Sequence, residues 1–288
     1  MVPAIPLLFF LAASPEQRAV DYLAREVEKW PRENHCFSCH NNADAVRALT
    51  LAGRKGYVVP PAAMAESIEW LKQPANWNES KGNPGFSDTK LAKVQFAAAA
   101  TEARLPLADV AEVLLPLQDA DGSWRIDTGG LPGAPAIYGT ALATYMSRRT
   151  LEAADATRFS GEIARANRWL GAQKPSNTVD AAAVLLALAK SKAALDFILA
   201  AQTSDGGWGS QRGVPAEPFD TALALLALQA AGETKPIARG REFLLKTQQS
   251  AGGWQETTRP AGGTSYAEHI STTGWALYAL LATGTKGK

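Results

Sequence analysis

A short motif recurs along the chain and constrains its fold more than any other feature of the sequence. The motif is Gln, three residues, Gly, one residue and Trp, and it ends the segments LLPLQDADGSW (114–124), ILAAQTSDGGW (198–208) and LLKTQQSAGGW (244–254). A Gly- or Pro-rich loop and then an Ala-rich segment follow each copy. Repetition on this scale is typical of a supersecondary unit that packs on its neighbours. The sequence therefore predicts repeated helical hairpins.

Weaker copies of the same unit fill the remaining sequence. Gln173 keeps the glutamine of the motif without the Gly and Trp, and Gln73 is followed by Trp77. Apolar residues recur at helical spacing, as at Leu223 and Leu226. We expect six hairpins, near residues 17–53, 61–101, 106–146, 159–190, 194–232 and 237–284. Residues 15–288 would then form a single domain.

Polar residues and glycines mark where several of these helices should begin and end. A side-chain oxygen can cap a helix N-terminus, and a glycine can adopt the left-handed conformation that ends a helix. The candidate N-caps are Ser87-Asp88, Asn177-Thr178 and Ser271-Thr272. The candidate C-caps are Gly53, Gly232 and Gly284.

The motif resembles the repeat of the terpenoid cyclase and protein prenyltransferase superfamily, known as the QW repeat in squalene-hopene and oxidosqualene cyclases. The resemblance covers nearly the whole chain, through three strong and three weak copies. It implies an all-α fold, an (α/α)6 toroid in which the second helices form an inner barrel, with a pocket where the motif loops gather. It also implies a structural role, tying neighbouring outer helices together, for Gln118, Gln202, Gln248, Trp124, Trp208 and Trp254.

The same resemblance implies candidate catalytic carboxyls. Class II terpene cyclases protonate an alkene with the middle Asp of an Asp-x-Asp-Asp-Thr-Ala motif at the start of an inner helix. The comparable segment is EPFDTA (217–222), in which Asp220 matches the last Asp and Glu217 the first position. Phe219 stands where the protonating Asp is expected. Asp220 and Glu217 are therefore the candidate catalytic residues of a terpenoid cyclase with a non-standard acid motif.

A second branch of the superfamily, the protein prenyltransferase β subunits, binds zinc through Asp, Cys and His near the ends of inner helices. His269, in YAEHISTTGWALYALL, resembles the His-bearing helix of that branch, although no Asp-x-Cys accompanies it. A prenyltransferase-related enzyme is thus a further alternative.

The segment ENHCFSCHNN (33–42) holds both cysteines of the chain and two of its three histidines. Cys36, Cys39 and His40 fit the Cys-x-x-Cys-His pattern of c-type haem attachment, in which the thiols bond the haem and the adjacent His binds its iron. A zinc site and a disulfide stay open as alternatives. Because the first and last hairpins of a closed ring are neighbours, we expect His269 to meet His40, as a distal haem ligand or as another metal ligand.

The first residues, 1–14, resemble a secretory signal peptide. The apolar stretch from Val2 to Ala13 is too short to span a bilayer, so no transmembrane segment is predicted, and small residues follow it. No Lys or Arg precedes that stretch, so an apolar arm packed on the domain is the alternative. Export would make the protein periplasmic or secreted in a bacterium, where c-type haem is attached.

Charge and aromatic residues indicate which classes of ligand to expect. The 29 basic and 28 acidic residues form no basic block, so nucleic acid is not an expected partner. The candidate pocket residues Tyr138, Phe219, Tyr266 and Trp275 suit an apolar or isoprenoid-like small molecule.

Three hypotheses follow from the sequence. The first is an exported squalene-cyclase-like toroid that carries haem c and binds an apolar molecule in its pocket. Its role would be a redox reaction with a partner protein, or ligand binding. The second is a terpenoid cyclase or prenyltransferase-related enzyme; a haem-dependent oxidoreductase is the other enzyme class considered. The third is a non-catalytic interaction module with a zinc site or a disulfide.

Overall fold

The computed structural model describes residues 13–34, 39–79, 88–257, 259 and 265–284. Twelve α-helices lie in these ranges: α1 Pro15–Asn34, α2 Asn41–Arg54, α3 Ala65–Leu71, α4 Thr89–Glu102, α5 Ala108–Leu114, α6 Thr140–Asp155, α7 Ser160–Gly171, α8 Thr178–Ala187, α9 Lys192–Ala201, α10 Pro218–Ala231, α11 Lys235–Thr247 and α12 Tyr266–Thr283. Short 3-10 turns accompany α3 and α5, at Pro61–Met64, Pro74–Glu79 and Leu115–Leu117.

The even-numbered helices form a closed inner ring. Each one packs on the next, from α2 through α4, α6, α8 and α10 to α12, and α12 packs on α2. The odd-numbered helices lie outside this ring against the inner helices, as α1 does against α2 and α12. The predicted all-α toroid of six hairpins is therefore confirmed.

Small side chains allow the inner helices to approach one another. The run from Ala97 to Ala100 in α4 is almost completely buried, as are residues 181–183 of α8 and Ala222, Ala224 and Ala227 of α10. At Gly274 of α12, an added Cβ would lie 2.9 Å from the backbone of Asp44 in α2. Since interiors are packed as densely as organic crystals, a larger residue there would push two inner helices apart.

Several predicted helix ends are confirmed. The Asp88 carboxylate accepts a hydrogen bond from the amide of Lys90 at 2.8 Å, and the Asn177 side chain accepts one from the amide of Asp180 at 2.9 Å. Gly232 ends α10 in the left-handed conformation, at φ +81°.

Two other predicted ends are wrong, and a third is right in position but not in conformation. Helix α2 continues through Gly53 to Arg54, and Gly56 takes the left-handed φ of +89° instead. Helix α12 begins at Tyr266, five residues before Ser271, with Ser265 as its N-cap, because its first turns already carry buried residues such as Ala267 and Ile270. Gly284 does follow the last residue of α12 as its C-cap, but with an extended backbone at φ −70° instead of the left-handed conformation.

The motif tryptophans fasten three outer helices, α5, α9 and α11, to their inner partners. The indole N–H of Trp208 donates to the carbonyl of Ile198 at 2.7 Å, and its amide donates to the Thr221 hydroxyl at 2.9 Å. Trp124 and Trp254 repeat both bonds, with Thr144 and Thr273 as the inner-helix hydroxyls. All three indoles are fully buried.

The motif glutamines tie neighbouring outer helices together, as the resemblance implied. The Gln248 amide donates to the carbonyls of Gly252 and Pro15 at 2.9 and 2.8 Å, and Arg18 donates back to its oxygen at 2.6 Å. This set joins the last hairpin to the first. Gln118 and Gln202 make the equivalent bonds to α7 and α11.

Among the helices in the described ranges, none is both long and apolar enough to cross a bilayer. The predicted signal peptide falls mostly on residues 1–12, outside the described residues.

Candidate functional site

A buried carboxylate lies inside the ring, at the end where the inner helices begin. Asp44, in the first turn of α2, is 1% exposed. Its Oδ1 accepts hydrogen bonds from the Tyr138 hydroxyl at 2.8 Å and from Arg47 at 3.1 Å. Its Oδ2 accepts one from the indole N–H of Trp275 at 2.9 Å. The three donors come from three separate parts of the chain, so the contact joins hairpins one, three and six.

Three aromatic rings form a cluster, and two of them, Tyr138 and Trp275, contact Asp44. Tyr138 and Phe219 each meet Trp275 edge-on, at centroid distances of 5.8 and 5.6 Å. All three rings are buried. We call Tyr138, Phe219 and Trp275 the aromatic cluster. It unites three of the four aromatic residues that the sequence suggested for the pocket.

Tyr266 does not join the aromatic cluster. It is 40% exposed and packs against α1, with its ring 5.8 Å from that of Trp30 and Lys29 above it. Its hydroxyl donates to Glu26. The first residue of α12 therefore faces outward.

Burial raises the pKa of Asp44 to about 7, although Arg47 and the hydrogen bonds from Tyr138 and Trp275 oppose that rise. Arg47 also stacks on the aromatic rings, with its guanidinium carbon 4.3 Å from the centroid of Trp275 and 5.1 Å from that of Tyr278. A carboxyl that titrates near neutral pH, with three donors ready for its anion, can give up or take up a proton.

The loop before α6 delivers Tyr138 in a strained conformation. Tyr138 has a φ of +40°, which is unusual for a residue with a bulky side chain. Its carbonyl lies so close to Gly133 that an added Cβ there would be 1.9 Å away. Gln95 of α4 donates to the carbonyl of Pro135 at 2.7 Å and fixes the same loop. These contacts hold the Tyr138 hydroxyl on Asp44.

The two candidate catalytic carboxyls meet a buried arginine. Arg259 donates to both carboxylate oxygens of Asp220, at 2.7 and 2.8 Å, and to Glu217 at 2.5 Å. It also donates to the carbonyl of Gly133 at 2.9 Å. Burial raises the pKa of Asp220 to about 7, and the positive charge of Arg259 opposes that rise. This arrangement anchors the loops before α6 and α12 to α10.

Glu268 is a third buried carboxyl at the same end of the barrel. Its Oε1 accepts a hydrogen bond from the Thr257 hydroxyl at 2.9 Å, while Oε2 is buried without a hydrogen-bond partner. Burial raises its pKa to about 7.

The cysteine segment lies at the start of α2. Cys36 falls in residues 35–38, outside the described residues, whereas Cys39 is half-buried against the core. His40 precedes α2 directly, and burial lowers its pKa to about 4. Within the described residues, no group of three or more His, Cys, Asp or Glu side chains has the spacing of a metal site.

His269 faces the motif loop of the last hairpin. Its Nδ1 lies 2.9 Å from a carboxylate oxygen of Glu256, and its ring is 5.5 Å from that of Tyr22. An added Cβ on Gly253 would lie 2.7 Å from its Nε2. The expected meeting of His269 with His40 stays a prediction.

Sequence reasoning missed Asp44, Arg47 and Arg259. The sequence did contain a pattern that could have indicated Asp44 and Arg47. They stand three residues apart in the Ala-rich segment NNADAVRALT, and so they share one face of an inner helix. Arg259 stands in a loop, where spacing carries no such information.

Comparison with known proteins relates part of this chain to the terpene cyclases. Residues 176–269 match the squalene-hopene cyclase C-terminal domain family. The chain is similar to a squalene-hopene cyclase of Bradyrhizobium diazoefficiens, 39% identical over 24% of this chain, and to a drimenyl diphosphate synthase of Streptomyces showdoensis, 33% identical over 24%. It spans 13% and 14% of their lengths.

Solved structures share the fold. The ent-copalyl diphosphate synthase of Streptomyces platensis matches with a TM-score of 0.54 at 19% identity, over 86% of this chain and 50% of that one. A glycosidase matches with a TM-score of 0.53 at 13% identity, over 95% of this chain and 99% of that one. At such identities the likeness concerns the fold alone. The family match likens residues 176–269, about a third of the chain, to squalene-hopene cyclases, and the solved structures show the shared toroidal fold.

Proposed function

We propose that the chain is a terpenoid-cyclase-like toroid that binds an apolar, isoprenoid-like molecule in its barrel, against the aromatic cluster. The contacts of Tyr138 and Trp275 with one buried carboxyl, and of Phe219 with Trp275, carry this proposal. Aromatic rings offer large apolar surfaces to a hydrocarbon chain, and their faces also attract positive charge. The matched relatives include a squalene-hopene cyclase and a drimenyl diphosphate synthase, and their names agree with a ligand of this class.

Ligand titration tests the proposal. We expect geranylgeraniol to change the tryptophan fluorescence and to raise the unfolding temperature in a concentration-dependent way, because ligand binding stabilises the folded state. Trp275→Phe should weaken binding, while Trp169→Phe, which changes a half-buried indole on the outer helix α7, should leave it intact. Equal affinities of the two variants would contradict a site at the aromatic cluster.

An enzymatic role requires a carboxyl that can donate a proton to an alkene. Asp220 and Glu217 were the sequence-based candidates, and Asp44 is the carboxyl in contact with the aromatic cluster. Incubation with polyprenyl substrates should then give a cyclised or transferred product. Loss of product in Asp220→Asn would support Asp220 as the catalytic acid, and full activity in that variant would contradict this role. Ligand binding without any product would favour the non-catalytic module.

A c-type haem on Cys36, Cys39 and His40 is the second candidate function. The neutral imidazole that burial favours at His40 is the form that binds iron, and the half-buried Cys39 beside it suits a thioether bond to the haem edge. Cys36 would supply the second thioether, and His269 is the proposed distal ligand. A bound haem would supply electron transfer to a partner protein.

Expression with the native leader in cells competent for cytochrome c maturation tests this second candidate. A covalent mass increase and a haem absorption band are expected, and both should disappear in Cys39→Ser. An unmodified protein with bound zinc, or with a Cys36 to Cys39 disulfide, would favour the interaction module. Recovery of processed protein from the periplasm or the medium would support export.

A further inference from the structure

An open apolar groove lies on the second hairpin, along α3. It has a volume of about 680 Å³. Its wall includes Pro61, Met64, Ala65, Ile68, Trp70 and Gln73. Cofactors and small ligands typically occupy clefts of about 300–1,000 Å³ with largely apolar walls. The cleft therefore has the size and lining of a cofactor site, and we call it the α3 groove.

The glutamine of the second hairpin does not close the α3 groove. Where the motif is complete, its glutamine bonds to the next outer helix, as Gln118 does to α7. Gln73 bonds locally instead, to the carbonyl of Glu69 at 3.2 Å and to the Asn76 amide at 2.8 Å. Gln73 itself lines the groove, so the second hairpin keeps an apolar cleft that faces solvent.

The α3 groove adjoins the start of α2, which directly follows Cys39 and His40. The side-chain amide of Asn42 donates to the Ser67 hydroxyl of α3 at 3.3 Å. Trp70 lines both the α3 groove and a small cleft that Asn42 also lines. One residue along the chain separates His40 from Asn42, so a haem bonded to this segment would be attached beside the wall of the groove.

Met64 places a thioether sulfur at the α3 groove. The residue is half-buried, and its sulfur lies 3.9 Å from the Thr50 hydroxyl of α2, which is a weak contact. A thioether accepts hydrogen bonds poorly, but it can bind haem iron, and His with Met is the axial pair of cytochromes c. Met146, by contrast, is buried in α6 and does not line the groove.

His269, considered above as the distal ligand, has both ring nitrogens engaged elsewhere. Its Nδ1 lies 2.9 Å from the carboxylate of Glu256. Its Nε2 packs against Gly253, where an added Cβ would be 2.7 Å away. Either nitrogen would have to leave the motif loop of the last hairpin to bind iron, whereas the Met64 sulfur would leave only a weak contact.

The rim of the α3 groove carries paired charges. Arg32 donates to Glu66 at 3.2 Å, and Lys72 donates to Glu69 at 2.6 Å. Both glutamates line the groove, so a cation neutralises each of these carboxylates. The side chains of Arg32 and Lys72 are 59% and 46% exposed. They can therefore also pair with the propionate groups of a haem, which the glutamates alone would repel.

We propose that the haem of the second candidate function lies in the α3 groove, with the Met64 sulfur bound to its iron opposite His40 and in place of His269. This inference rests on that candidate function. In the attachment itself each thiol S–H adds across one haem vinyl group, so no oxidant or reductant is consumed. Met64 then donates a sulfur lone pair to the iron, while Ile68 and Trp70 cover an apolar face of the ring.

Absorption spectroscopy and redox titration of the matured full chain test the proposal. We expect the ferric haem to show a sulfur-to-iron charge-transfer band. Met64→Leu keeps the apolar volume and removes the sulfur, so it should abolish that band and lower the reduction potential, because a methionine ligand raises it. Met146→Leu is the matched control, the same substitution at a buried methionine, and should keep both. His269→Gln should keep both as well.

A second measurement needs no substitution at Met64 and serves if Met64→Leu fails to fold. With isotope-labelled methionine methyl groups, the ring current of the ferrous haem should shift one methyl NMR signal far upfield. The shifted signal should persist in Met146→Leu. A set of methionine signals at ordinary positions would contradict a bound Met64.

The outcomes separate this proposal from haem attachment itself. Covalent haem without the charge-transfer band overturns the Met64 ligand and leaves the haem function standing. A band that survives Met64→Leu, or one that is lost in His269→Gln, does the same. Protein that carries no haem after expression in maturation-competent cells refutes both the attachment and the groove site.

Discussion

Replacing Gln248 by Ala tests how the ring closes. Gln248 makes three hydrogen bonds, two of which reach Pro15 and Arg18 in the first helix. Each such bond contributes about 0.5–1.5 kcal/mol net, and a bond from a charged donor contributes more. We therefore expect Gln248→Ala to lower the free energy of unfolding by about 2–4 kcal/mol. At this chain length that corresponds to a fall in Tm of about 3–7 °C.

Gln73→Ala is the matched control. Gln73 occupies the equivalent position in the second hairpin, but it bonds only locally within the described residues: its amide donates to the carbonyl of Glu69 at 3.2 Å, and its oxygen accepts from the Asn76 amide at 2.8 Å. Its loss should cost about 1 kcal/mol or less. Urea unfolding followed by far-UV circular dichroism gives both values. Equal destabilisation by the two substitutions would refute the claim that Gln248 fastens the last hairpin to the first.

Three further predictions concern the barrel. Gly133→Ala should destabilise the fold by at least about 2 kcal/mol, because the added Cβ would clash with the Tyr138 carbonyl. Gly53→Ala, which has open space around it, should be neutral or stabilising, and the urea unfolding midpoints of the two variants measure the difference. Tyr138→Phe should raise the pKa of Asp44 further, since it removes a donor to the carboxylate, and a carboxyl-carbon NMR titration measures this. The free energy of unfolding should fall as pH rises from about 4 to 7. Burial raises the pKa of Asp220 from 3.8 to about 7, so the native state binds more protons over that range than the unfolded chain does. Urea unfolding at several pH values measures this dependence, which should be flatter in Asp220→Asn.

The helical repeat could be read from the sequence because its determinants are local. Helical spacing of apolar residues and capping residues such as Asp88 and Asn177 act within one or two turns. The start of α12 could not be read in this way. Ser271 and Ser265 are equally good caps by residue type, and packing against the ring selects Ser265.

The barrel contacts depend on residues far apart in sequence. Asp44 meets Tyr138 and Trp275, which lie 94 and 231 positions away, and no local pattern encodes such pairs. The sequence identified the aromatic residues individually by type. Tyr266 shows the limit of that approach, because its position at the first turn of α12 turns its ring toward α1.

The closure of the inner ring has a consequence for how the protein unfolds. An open array of hairpins has two end units, and each of these needs a polar outer face and can fray on its own. Here the contact of α12 with α2, supported by Gln248, gives every hairpin two neighbours. Detaching any hairpin then breaks two interfaces instead of one. Hydrogen exchange should accordingly show similar protection in all six inner helices, without a gradient from either end.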